Sequence, residues 1–137
     1  MATQIQLVMY EGYMADAPDM RYTPSGKAVA NFRMGSSRSF KTSAGETTKE
    51  TTWLKVTAWG KLAEVVTEYC EKGSHVIVQG SLHPGENGNP NVYELKNGRG
   101  WGASYEVTAE RVRILDSKTG EAVDTSDAGD NGALPFD

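Results

Sequence analysis

The stretch TTWLKVTAWGK at residues 51–61 holds the side chains with the clearest chemical reach. Trp53 and Trp59 share their parity with Lys55 and Thr57, while Leu54, Val56 and Ala58 take the alternate positions. Successive side chains of a strand point to opposite faces, so the aliphatic residues claim one face and both indoles share the other with a lysine. Two readings compete. In one, the indoles pack beneath a neighbouring loop, as large aromatic groups commonly do. In the other, they stand open to solvent beside cations and stack on unpaired nucleobases. Every base presents a π-face whatever its identity, and a stack contributes about 1–3 kcal/mol per base. Three features favour the second reading. The opposite face of the strand is already an adequate core face. Lys55 stands between the rings, where burying an unpaired ammonium is costly. Phe40, beside Arg38 and Lys41, adds a third ring in a segment with no core pattern.

Cations near these rings would hold phosphates and release counterions. The candidates are Arg33, Arg38, Lys41, Lys49, Lys55 and Lys61. Trp101 lies in GRGWGA, where flanking glycines leave two alternatives: an exposed stacking ring or an anchor tucked against the domain. Tyr93, in the same segment, makes a weaker case.

Taken as a whole, the net charge of −4 over 137 residues argues against a polyanionic partner. Its distribution reverses that. Residues 117–137 set Lys118 against Glu121, Asp124, Asp127, Asp130 and Asp137, which accounts for the whole excess. Residues 21–61 hold Arg21, Lys27, Arg33, Arg38, Lys41, Lys49, Lys55 and Lys61 against only Glu46 and Glu50. Such asymmetry bears on partners rather than on fold. Cys70 is alone and cannot form an internal disulfide, which fits a reducing interior. The start MATQIQLVMYEG lacks the basic lead of a signal peptide, and no apolar run approaches a membrane span. A cytoplasmic protein with no membrane partner is the expectation. Enzyme chemistry finds no foothold. Cys70, His75 and His83 have no metal-ligand spacing, SGKA lacks the earlier glycine of a phosphate-cradling loop, and Glu64, Glu68 and Glu71 form the solvated side of a helix. No cofactor is implied.

The elements that must position these groups follow from periodicity. QIQLVMYEGYM alternates Ile5, Leu7 and Met9 against Gln4 and Gln6, a half-buried strand, with Gly12 suggesting a bulge or bend. RYTPSGKA is a turn. AVANFRMGSSRSF sets Ala28, Ala30, Phe32 and Met34 opposite Asn31 and Arg33, and the polar loop KTSAGETTKE leads into the strand of the two tryptophans. GKLAEVVTEYCEKGS is a helix, with Leu62, Val65, Val66, Tyr69 and Cys70 as its apolar stripe and Gly73 as its stop. HVIVQGSL is a fourth strand. Residues 83–102, rich in glycine, form a long hairpin arm or loop. SYEVTAERVRIL is the fifth strand. Its inward parity changes between Ala109 and Val112, which implies a bulge. Beyond Leu115 hydrophobic periodicity stops. The expected organisation is a domain at 1–116 and a disordered acidic tail at 117–137. One helix between the third and fourth strands of a five-stranded antiparallel meander is the layout of the OB-fold, an all-β Greek-key barrel.

Three segments carry a resemblance: GYMADAPDMRYTPSGKAVANFRMGSSR, TTWLKVTAWGKLAEVVTEYCEKGSHVIVQGSL and YEVTAERVRIL. In order and with few gaps over residues 5–115, the chain resembles the bacterial-type single-stranded DNA-binding protein family. The resemblance implies stacking roles for Phe40, Trp53 and Trp59, with Trp101 as the aromatic of the long loop. It implies a homotetramer, in which the first strand helps to pair subunits, and a role in DNA replication, recombination and repair. It also implies that the end of the tail is read by replication and repair proteins. Leu134, Pro135 and Phe136 match that motif, although Asp137 follows and displaces the α-carboxylate by one residue. Against this stand a merely solubilising tail, an OB-fold module that binds protein or oligosaccharide, and a small nuclease on the same barrel.

Overall fold

A computed structural model describes residues 4–116 and 123–124. Its elements in chain order are β1 (Val8–Met14), β2 (Asp19–Tyr22), β3 (Ala28–Lys41), β4 (Thr47–Trp59), α1 (Lys61–Tyr69), β5 (His75–Leu82), β6 (Asn91–Glu94), a 3-10 turn (Lys96–Gly98), β7 (Trp101–Ile114) and β8 (Val123–Asp124). β1, β5, β7, β4 and β3 hydrogen-bond in that order, and β1 meets β3 at Tyr13–Gly35 and Met14–Met34 to close the ring. This is the OB-fold barrel expected from the element order, with α1 between its third and fourth strands.

The core follows strand parity. Ala28, Ala30, Phe32 and Met34 of β3 are buried against Leu54, Val56 and Ala58 of β4, with Ala30–Ala58, Phe32–Val56 and Met34–Leu54 directly opposed. Ala63 and Val66 of α1, and Cys70 just beyond it, join this core, with Leu62 and Tyr69 packed at its edge. In β7, Val107 and Ala109 face inward, then Val112 and Ile114. The parity changes because Gln79 pairs with Arg111 while Gly80 pairs with Ala109, so Glu110 is the extra residue of the expected bulge.

Several expectations need correction. β1 turns the opposite face inward: Gly12 and Met14 are buried and Val8 and Tyr10 partly so, while Ile5, Leu7 and Met9 are exposed. Strand parity has period two, so seating Met14 in the core forces Met9 outward. Gly12 makes no bulge, since the β1–β5 register is unbroken from Val8–Gly80 to Tyr13–His75. It serves a close approach instead, because a Cβ there would collide with the Gly35 carbonyl. The helix stops at Tyr69, where the Cys70 N–H donates to the Val66 carbonyl. Gly73, at φ +92°, belongs to the turn into β5, and its N–H donates to the Met14 carbonyl at 2.8 Å. The strands are not a wholly antiparallel meander, because β4 and β7 run parallel. α1 carries the chain over to β5 beside β1, so β7 reaches β4 from the far side and in the same direction.

Residues 83–102 do form an arm: β6 pairs with the start of β7, from Asn91–Ser104 to Glu94–Trp101. Val123 and Asp124, inside the stretch read from sequence as tail, pair with Ile114 and Arg113. Among the described residues, no helix is long and apolar enough to cross a membrane.

Candidate nucleic-acid interface

β3 and β4 build the site by pairing without a break from Val29–Trp59 to Lys41–Thr47. Residues paired directly across an antiparallel ladder share a face. The outer face of β4 therefore reads Thr51, Trp53, Lys55, Thr57 and Trp59, opposite Ser37, Gly35, Arg33, Asn31 and Val29 of β3. Both indoles are open, Trp53 at 56% exposed and Trp59 at 41%, while Leu54, Val56 and Ala58 between them are buried. Six residues of strand set the two rings roughly 20 Å apart, so they would serve different bases of one strand.

Each ring has a local reason for its pose. The Trp53 indole lies over Gly35, where an added Cβ would come within 2.9 Å of its Cζ3. The Lys27 Nζ stands 5.3 Å from the centroid of Trp59, a cation–π contact. Between the rings, the Thr57 hydroxyl donates to the Asn31 side-chain oxygen at 2.8 Å. Lys55 is directly opposite Arg33, whose Nε donates to Asp16 Oδ2 at 2.9 Å. That hydrogen bond holds the Asp16 carboxyl below the usual carboxylate range and raises Arg33.

The other candidates divide between the two faces. Lys49 and Lys41, paired with Ser39 and Thr47, have the parity of Trp53. Phe40 and Arg38 have the parity of the core residue Met34, but past Gly35 the two strands run on as a ribbon with no buried residue, and Phe40 is 40% exposed. The Arg38 guanidinium sits 5.4 Å from the Phe40 ring centroid, and its Nε donates to Glu50 Oε1 at 2.9 Å. Phe40 and Trp53 thus project from opposite faces of the ribbon. Lys61 opens α1 just past Trp59.

On the arm, Trp101 is paired with Glu94 and is 70% exposed, while Tyr93 is paired with Gly102 and projects from the other face. Tyr93 lines a cleft of about 720 Å³ together with Arg33, Lys55, Asn31, Asp16 and Ser104; Trp101 does not. Leu134, Pro135 and Phe136 lie outside the described residues.

Asp16, Lys27 and Gly35 belong to this face although they are not among the candidates expected from the sequence. A glycine inside a strand signals a close approach, which was available for Gly35. Nothing local points to Asp16 or Lys27, whose neighbours come from other strands. Among the described residues, no three His, Cys, Asp or Glu side chains are grouped to hold a metal ion.

A closed five-stranded barrel with one helix and with exposed aromatic rings among cations on its outer face is the build of OB-fold nucleic-acid-binding domains. Residues 5–115 match the sequence model of the Single-strand binding protein family, and the chain belongs to that family. It is 39% identical over 82 residues to the Single-stranded DNA-binding protein 1 of Chlorobaculum tepidum, covering 60% of this chain and 51% of that one. The chain thus spans about half the length of this curated relative. Two solved structures share the fold. A deletion mutant of the single-stranded DNA binding protein from Thermus aquaticus matches at TM-score 0.61 and 24% identity, over 87% of this chain and 54% of that one. The Plasmodium falciparum SSB in complex with ssDNA matches at TM-score 0.65 and 19% identity, over 84% of this chain and 98% of that one.

Proposed function

We propose that the protein binds single-stranded DNA with little sequence preference and shields it during replication, recombination and repair in the cytoplasm, without catalysis. The carrying observation is that Trp53 and Trp59 lie open to solvent on the face that also holds Lys55 and Arg33. Duplex DNA hides its base faces, so such a surface selects unpaired strands, and stacking reads no base identity. In this reading Trp53, Trp59 and Phe40 stack bases. Tyr93 closes one wall of the cleft, and Trp101 offers a further ring on the opposite side of the arm. Arg33, Arg38, Lys41, Lys49, Lys55 and Lys61 take phosphates, and Lys27 joins them beside Trp59.

The same reading includes self-association. Met9 and Tyr13 are exposed on the outer face of β1, with Leu7 just before it and Glu11, paired with His75, between them; a second copy would cover this apolar-rich face, and a homotetramer is the proposed state. Leu134, Pro135 and Phe136 are proposed to recruit replication and repair proteins.

Titrating the protein with oligo-dT is expected to quench tryptophan emission, with affinity falling on a log–log salt plot by about 0.7 per phosphate engaged. Native mass measured on the same sample is expected to give four chains. Emission indifferent to oligo-dT would sink the proposal.

Gly35→Ala tests how Trp53 is held. The new methyl group must push the indole off the sheet, since both cannot occupy that space. The ring is exposed and free to swing, so the melting temperature is expected to change little. Affinity for oligo-dT is expected to drop by up to the worth of one stack, about 1–3 kcal/mol.

A further inference from the structure

Asp16 sits where a ligand of this face would have to go. Its carboxylate accepts from Arg33 Nε at 2.9 Å, and it lines the cleft with Arg33, Lys55 and Tyr93. The backbone fixes it there: the Ala15 N–H donates to the Arg33 carbonyl at 2.8 Å, so the segment after β1 is tied to Arg33 itself. Arg33 and Lys55 stand directly opposite each other, and like charges so placed repel. Asp16 offsets that repulsion in the unliganded protein, which is also what a nucleic-acid phosphate would do. The pair is exposed on both sides, with 60% of the Arg33 side chain and 50% of the Asp16 side chain open. A contact this exposed exchanges readily with competing ions.

Arginine and lysine are treated differently on this surface. The same Nε–carboxylate geometry recurs at Arg38 and Glu50, again at 2.9 Å. Lys27, Lys41, Lys49, Lys55 and Lys61 make no ion pair among the described residues, whereas Arg21, Arg33 and Arg38 each have one. Each of the two arginines nearest the rings thus shares an exposed carboxylate, and the lysines do not.

We propose that Asp16 is a resident competitor for a phosphate position, displaced from Arg33 when a single strand enters the cleft, and that it sets the affinity and salt dependence of binding there. This rests on the reading that the face takes single-stranded DNA. A phosphate that takes Arg33 releases a counterion from the strand, but the freed carboxylate then gathers a cation from solution. The two nearly cancel, so this contact adds little to the salt slope of the native protein.

Asp16→Asn removes the competing charge and keeps the size of the side chain. Affinity for oligo-dT at low salt is expected to rise on the order of three- to tenfold. The salt slope is expected to steepen by about 0.7, one further counterion released from a single strand. In an Arg33→Gln background, Asp16→Asn is expected to change neither quantity, since no guanidinium is left to uncover. An unchanged slope, or a lower affinity, would show that Asp16 merely positions Arg33 and would overturn the proposal. An equal gain in the Arg33→Gln background would show a general field effect and overturn it as well. A native chain that ignores oligo-dT defeats the functional reading itself; a native chain that binds, with a variant that behaves identically, defeats this inference alone.

Discussion

Replacing Trp53 and Trp59 together by alanine is expected to weaken oligo-dT binding by about 2–6 kcal/mol while the barrel stays folded. The magnitude is two stacks at 1–3 kcal/mol each. The retention of fold follows from parity. Both rings are largely outside the core, and the residues between them, Leu54, Val56 and Ala58, keep every inward contact. Circular dichroism and the melting curve read the fold, and anisotropy of a labelled oligo-dT reads the affinity. A double variant that binds as tightly as the native chain would remove the stacking platform. One that unfolds would return the indoles to the core.

Phe32→Ala is the complementary case and is expected to be the most damaging single truncation for stability. Phe32 is 3% exposed and faces Val56 across the β3–β4 ladder, one residue from Arg33 of the outer face. Truncating a buried phenylalanine costs about 3–5 kcal/mol in lost transfer energy and cavity formation. For a chain of this size that lowers the melting temperature on the order of 10–20 °C. Below its transition the variant is expected to bind oligo-dT nearly as the native chain does, because the rings and cations of the outer face are untouched. Equilibrium urea unfolding checks the first expectation and anisotropy the second. A loss of affinity without a loss of stability would mean that the core side of these strands sets the outer surface.

The contrast between these two variants shows where the sequence could be read. In β3 and β4 the small and aliphatic core residues alternate cleanly with the rest, and parity sorts the side chains into two faces without knowledge of the partners. The same holds for the bulge of β7, where a parity change is visible in the chain itself, and in part for the helix, whose core side takes Ala63 with Val66 and Cys70 rather than Val65. In β1 the pattern misleads. Ile5, Leu7 and Met9 look inward because they are apolar, but Met14 and the approach of Gly12 to Gly35 decide the register. An apolar stripe that faces out is indistinguishable, in one sequence, from one that faces in. The parallel seam between β4 and β7 is equally hidden, because direction is settled by the path of the helix and not by any residue. The site splits the same way. That Trp53, Trp59 and Lys55 share one face is legible from spacing; that the rings are open is decided by the fold. Asp16 and Lys27 are not legible, since each reaches its partner from another strand or turn, and which face of the arm Tyr93 and Trp101 take depends on its register.

The placement of Phe40 and Trp53 on opposite sides of the ribbon has a mechanical consequence. A polynucleotide touching both rings would pass from one face of the ribbon to the other over five rungs, following its twist or its edge. Duplex DNA keeps its direction over roughly 150 base pairs and resists such a path. Unpaired strands, freed of that stiffness, can follow it. The ribbon would thus sort nucleic acids by bendability as well as by whether their bases are covered.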